Sequence, residues 1–344
     1  MLALLAVAVP IRIAAAFNLS GSMASVDAPG WRGMRLAAEE INRGGGVHGR
    51  RIELVLVDGK SNPQGLGRQV DRLLAKGGID AVAGLYDSDF ALPVGRAAQR
   101  HRVPFVTSGA TLPGLTKKIG DYAFMACYQD DQQAAAMADF ARKVLGARDV
   151  GVSTDNRYDY PRAISSGFQR EFRAMGGTTS RWGGYAPEAA YFAQMPAMAG
   201  PLVKQARKGG FAGPILSGDG FDTPDLARIA GADARGVYFT THVAYDHPEP
   251  RIRSFVNDYE KRWGHRPLSA SAALAYDSLR LVADAEARRG RGSLHAALAA
   301  TRGFVGVTGT ISYSQGSREP HKPITIVQLV DGRPVYESEI MPGK

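Results

Sequence analysis

One order of events recurs along this chain from Ile11 onward: a short apolar run, a loop of small polar residues, then apolar residues at helical spacing. Ile11 to Phe17 reads I-R-I-A-A-A-F, and Asn18 to Ser22 is a polar loop that includes Ser20. Met34, Ala37, Ala38 and Ile41 then fall on one helical face and stop at Asn42-Arg43-Gly44-Gly45-Gly46, after which Arg51 to Asp58 is a second apolar run. Strand, helix and strand in that order make a crossover between parallel strands, so the predicted fold class is α/β with doubly wound parallel sheets.

The plan continues with a helix over Gln64 to Lys76, a strand over Asp80 to Gly84, a helix over Ala91 to His101, and apolar runs at Val103 and Tyr122. A five-stranded lobe is therefore expected to be complete by about residue 120. A second series opens at Asp130-Asp131-Gln132-Gln133, which leads an Ala-rich helix to Leu145. Strands are predicted at Val150 to Ser153, Pro214 to Ser217 and Gly236 to Val243, helices over Arg251 to Trp263 and Ser269 to Arg288, and β structure closes the chain. At 344 residues the chain is long enough for two such lobes.

The loops carry the chemistry. In V-P-F-V-T-S-G-A-T-L-P-G-L-T, Val103 to Thr116, Gly109 and Ala110 let backbone approach a bound group, while Thr107, Ser108 and Thr111 offer hydroxyls and amides that suit a carboxylate. The same loop also reads as a plain strand-to-helix turn with a capping hydroxyl. Asp87 or Ser88 reads as a helix N-cap, with free amides for an anion beside Ser88. Gly44, Gly46 and Gly49 match G-x-G-x-x-G but follow a helix and precede a strand, the reverse of a dinucleotide site, so they read as a helix-ending turn.

Composition excludes several classes. The net charge of +9 comes from scattered Arg without a basic stripe interleaved with aromatics, which argues against nucleic acid. Cys127 stands alone, so no internal disulfide or redox pair is possible, and the dispersed His show no metal-ligand spacing. No G-x-S-x-G or Cys-His pairing points to an enzyme, and no cofactor or metal is expected. The apolar start M-L-A-L-L-A-V-A-V-P reads as a signal-like remnant over 1–10, or as an ordinary hydrophobic strand.

The segments Gly33 to Asp58, Pro104 to Thr116, Lys204 to Arg207 followed by G-P-I-L-S-G-D-G-F, and Gly306 to Tyr313 together resemble the type I periplasmic solute-binding proteins of the branched-chain amino acid and amide group, which feed ABC importers. The resemblance implies two lobes, 11–120 plus 246–325 and 121–245 plus 326–344, joined by a three-stranded hinge with the ligand clamped between them. It implies a carboxylate site at Ser88, Gly109 and Thr111, a second-lobe tyrosine at Tyr160 or Tyr158, and an ammonium partner at Asp219, which otherwise reads as a turn former. Tyr86, Tyr128, Met198 and Phe221 would shape a side-chain pocket. Expected partners are a small amino acid or amide-like ligand and a membrane permease, with a periplasmic location and a monomeric state. The alternative is a ligand-sensing regulatory protein of the same fold.

Three departures from the family are visible. A first-lobe cysteine pair is absent, and Met125 stands where many relatives carry Arg. Between Thr178 to Tyr185 and the helix near Pro201 only A-P-E-A-A-Y-F-A-Q-M-P-A-M-A-G intervenes, whereas a crossover with its helix needs at least about 10 to 12 residues before any strand is added. The second lobe is therefore expected to lack a strand near 195, or the sequence to lack residues there.

Overall fold

The computed structural model describes residues 8–183, 186–314 and 316–342, so the signal-like reading falls mostly outside the described residues. The first lobe alternates strands β1 (Ile11–Phe17), β2 (Ile52–Asp58), β3 (Ala81–Gly84), β4 (Phe105–Thr107) and β5 (Ala123–Met125) with helices α1 (Ala24–Arg43), α2 (Pro63–Ala75), α3 (Ser88–Arg100) and α4 (Leu115–Ile119). The sheet order is β2-β1-β3-β4-β5, all parallel, with Ile11 opposite Ile52 and Ile13 opposite Ala81. Residues 13–17 are buried because helices cover both faces, which is why the strand reads as a continuous apolar run. Since β5 pairs with β4, the first lobe extends past residue 120 to Met125.

The second lobe follows with α5 (Asp130–Asp139), β6 (Asp149–Thr154), α6 (Asp159–Ala174), β7 (Thr178–Arg181), β8 (Ala189–Ala193), α7 (Ala199–Lys208), β9 (Ile215–Ser217), α8 (Pro224–Ala230) and β10 (Val237–Thr241). The chain then returns to the first lobe as α9 (Pro250–Trp263), α10 (Ser271–Arg288), α11 (Leu294–Ala299) and the ribbon β11 (Phe304–Gly306) with β12 (Gly309–Ile311). Last, β13 (Ile324–Val330) and β14 (Arg333–Ile340) extend the second sheet to the order β14-β13-β10-β9-β8-β6-β7.

The expected gap in the second lobe is corrected by β8, whose five residues are all buried between β6 and β9. Among the described residues, no helix stands between β7 and β8. β7 and β8 both pair with β6, on its opposite sides, two strand spacings of roughly 5 Å each apart. Trp182 and Pro187 lie directly on β6, where a Cβ added to Gly151 would fall 2.9 Å from Pro187 and 3.0 Å from Trp182. Trp182 also meets Phe192 and Phe211 edge-on at 5.1 and 4.9 Å. An aromatic cluster thus covers the sheet face that a helix would otherwise cover.

Three crossings join the lobes, at 126–129, 242–249 and 312–323. Buried Lys322 of the third donates to the Ala126 carbonyl of the first (3.0 Å) and to the Thr308 hydroxyl (2.7 Å). Asp277 on α10 accepts from the Val307 and Thr308 amides and from the Thr308 hydroxyl. Burial pulls the Lys322 ammonium down to about 8, with Asp277 acting against that fall. The Cys127 thiol is buried and donates to the Ala110 carbonyl.

Candidate functional site

The C-terminal ends of the parallel strands in the two lobes face one another, the position at which ligands sit on such sheets. On the first-lobe side the loop after β3 is held by Asp27, whose carboxylate accepts from the Asn18 backbone and side chain and from the Tyr86 amide. Leu85, just before Tyr86, has φ of 66°, a conformation that costs a bulky residue energy and is kept by its surroundings. That bend turns Tyr86 toward the second lobe.

Between the lobes lies a narrow, almost closed crevice. Met23, Tyr86, Asp87, Ser88 and Thr111 line it from the first lobe, and Tyr160, Pro196, Asp219 and Gly220 from the second. The walls touch in a closed arrangement. The Tyr86 hydroxyl donates to the Asp219 carbonyl (3.2 Å), the Thr223 hydroxyl to Ser25 (3.2 Å), and the Ala270 amide to Asp222 (2.9 Å). On the second-lobe side the Gly220 amide donates to the Tyr160 hydroxyl at 2.7 Å.

Asp219 sits in a buried polar network. The Gln133 side chain donates to Asp219 Oδ1 (2.8 Å) and to Asp130 Oδ1 (2.9 Å), while its carbonyl oxygen accepts from the Asp219 amide and the Thr240 hydroxyl. His242 Nε2 donates to Asp219 Oδ2 at 3.3 Å, leaving Nδ1 as a buried lone pair without a partner. Burial holds the imidazole below its ordinary range, partly offset by Asp219. The site is rich in carboxyl groups. Burial, then the charge of Asp89, pushes Asp87 up to about 8, and burial followed by Asp219 raises Asp130 far above the usual carboxylate range.

Of the residues singled out from the sequence, Tyr86, Ser88, Thr111, Tyr160 and Asp219 come together on the crevice wall. Gly109 and Ala110 lie behind that wall. A Cβ on Gly109 would fall 2.5 Å from the Tyr86 ring, so the glycine is there to admit the tyrosine. Ser20 is exposed before α1, with its carbonyl bound to Ser61. Tyr158 is half-buried under the Arg157 guanidinium, Met198 is 39% exposed, and Phe221 is buried in the second-lobe core. Met23 and Pro196 take the lining positions nearest to Ser20 and Met198. Sequence reasoning missed Gln133 and His242. Gln133 reads as a helix-start residue and His242 follows an apolar strand without a motif, so their shared partner Asp219 carries no local signal in either. Among the described residues, no group of three or more His, Cys, Asp or Glu is arranged to hold a metal ion.

A family model described as periplasmic binding protein matches residues 10–190 and 183–334. The chain is 29% identical over 239 residues to an amino acid binding protein of Pseudomonas aeruginosa, covering 64% of each, so the match spans 64% of that relative's length. Among solved structures, a leucine binding protein from Thermotoga maritima superposes with TM-score 0.89 at 30% identity, covering 96% of this chain and 99% of that one. A branched-chain amino acid transporter substrate binding protein from Streptococcus pneumoniae, in complex with isoleucine, gives 0.87 at 29% identity, covering 96% and 98%.

Proposed function

This chain belongs to the periplasmic binding protein family, and from that membership we propose that it is the extracytoplasmic substrate-binding component of an ABC importer of the branched-chain amino acid group. It binds rather than transforms its ligand, a small amino acid or amide-like solute held in the inter-lobe crevice. The observation that carries this reading is the convergence of Ser88 and Thr111 from one lobe with Tyr160 and Asp219 from the other on one crevice, with Tyr86 reaching across. A polar solute enclosed there loses water at both ends and needs charge-assisted hydrogen bonds from both walls, each contributing roughly 1.5 to 3 kcal/mol. Contacts that exist only when both lobes touch the ligand favour the closed arrangement, so closure is coupled to binding. A membrane permease that recognises the closed lobes is the partner this role requires.

The test is a thermal-shift screen of the purified protein against amino acids, amides, urea and aromatic acids. A ligand present at 100 times its Kd adds about 2.7 kcal/mol of stability. Asp219→Asn is expected to abolish the shift for ligands with an ammonium group and to spare it for those without. An unchanged response of ammonium-bearing ligands in that variant would remove Asp219 from the site.

A further inference from the structure

We propose that Gln133, a residue behind the crevice wall, is what makes the crevice select ligands with an ammonium group: it is a positioning residue that fixes the direction of the Asp219 carboxylate. This rests on the crevice being the ligand site.

The orientation of the Gln133 side-chain amide follows from its neighbours. A backbone N–H only donates, and the Asp219 amide lies 3.0 Å from Oε1, so that atom is the oxygen and the NH2 group points the other way. The oxygen also accepts from the Thr240 hydroxyl on β10. The NH2 group donates to Asp219 Oδ1 (2.8 Å) and to Asp130 Oδ1 (2.9 Å). Two donors and two lone pairs are all that a glutamine side chain has, and on fully buried Gln133 all of them are used. From α5, 86 positions away along the chain, it therefore holds Asp219 at both backbone and side chain.

That hold decides which way the charge points. Asp219 accepts on Oδ1 from Gln133 and on Oδ2 from His242, so both oxygens are fixed in place, and each keeps a second lone pair for a donor in the crevice that Asp219 lines. Asp130, the other acceptor of the same NH2 group, stands behind the wall. Burial, followed by the charge of Asp219, raises it far above the usual carboxylate range, so Asp130 holds its proton at neutral pH and Asp219 is the charged member of the pair. A ligand ammonium forms a charge-assisted hydrogen bond only where such an oxygen stands, and a recognition group of this kind has to be held to within about 0.5 Å by hydrogen bonds from behind. An apolar side chain at position 133 leaves His242 as the one side-chain donor to that carboxylate among the described residues.

The experiment is isothermal titration of the purified protein at neutral pH with amino acids and the acids that lack their ammonium group: leucine and isocaproate, valine and isovalerate, alanine and propionate, phenylalanine and hydrocinnamate. In the unsubstituted protein at least one amino acid is expected to bind about tenfold or more tighter than its partner acid. Gln133→Met keeps the length of the side chain without its hydrogen bonds, and is expected to shrink that ratio about tenfold while the affinity for the ammonium-free acid changes less than about threefold. Thr240→Val removes only the hydroxyl that donates to Gln133 and serves where Gln133→Met does not fold, with the ratio expected to shrink about threefold. Combined with Asp219→Asn, Gln133→Met is expected to weaken amino acid binding no further, because a residue that acts through another adds nothing once that one is gone. An unchanged ratio in the variants that fold overturns the inference and leaves the crevice reading standing. So does an equal loss of affinity for both members of a pair, an additive loss in the double variant, or an unsubstituted protein with no preference for the amino acids. Binding of no member of any pair overturns the inference, and a protein that also gives no response in the thermal-shift screen overturns the crevice reading with it.

Discussion

The imidazole of His242 stacks on the ring of Tyr128 with centroids 3.7 Å apart and planes 20° from parallel. The two residues belong to different crossings between the lobes, and His242 Nε2 also reaches Asp219 in the crevice. A hinge contact and a crevice contact therefore share one side chain.

His242→Phe keeps the stack but leaves Asp219 Oδ2 without its donor. Loss of a partner by a buried acceptor costs about 1 to 3 kcal/mol. The expected result is a lower midpoint in urea with an unchanged m-value, together with a smaller ligand-induced shift. An unchanged midpoint would mean that the Asp219 contact contributes nothing.

Tyr160→Phe removes the acceptor of the Gly220 amide in the turn that carries Asp219. About 1 kcal/mol of stability is expected to go. On the proposed function, ligand affinity is expected to drop about tenfold, because the turn that carries Asp219 loses a hydrogen bond. Titration calorimetry on the variant measures both the affinity and the enthalpy lost.

The buried carboxyl groups set a pH dependence. Burial raises Asp27 and Asp222 to about 7 and Asp87 to about 8, against about 4 in an unfolded chain. Between about pH 4 and 8 the folded protein holds protons that the unfolded chain has released, so stability rises as pH falls through that window. His242, held down by burial, opposes the gain below about pH 6.5. Tm is thus expected to climb from pH 9 toward a maximum near pH 5 to 6. Asp87→Asn should flatten the slope between pH 6 and 8, and a Tm that instead rises from pH 6 to 9 would contradict the assignment.

Asp277→Ala strips the acceptor from the Val307 and Thr308 amides and leaves the buried Lys322 ammonium without its counter-charge. Each buried donor left without its acceptor costs about 1 to 3 kcal/mol. Equilibrium unfolding should show a loss of that size, and a loss below about 1 kcal/mol would show that the hinge cluster relaxes freely.

Trp182→Ala opens the cluster that stands in for the missing helix. With the side chain half-buried, the cost is expected near 2 kcal/mol, below the about 3 to 5 of a fully buried tryptophan. Amide exchange should rise first in Thr178–Arg181, the edge strand of that sheet.

Much of this was readable from residue order. The alternation of apolar run, polar loop and helical spacing from Ile11 to Asp58 determines a parallel α/β lobe, because a strand covered on both faces must be apolar throughout and a helix-ending Gly cluster must follow its last turn. The loops holding Ser88, Thr111, Tyr160 and Asp219 were equally legible, since each follows a strand end where such folds place ligands. The interior strand at Ala189–Ala193 was not, because its length is read against a crossover that needs a helix, and here a short connection with Trp182 takes the helix's place. Nor could the order of residues bring His242 to Tyr128, or Gln133 between Asp130 and Asp219. Those meetings depend on how the crossings fold the lobes together, and burial of polar groups is decided by neighbours that are close in space and remote along the chain.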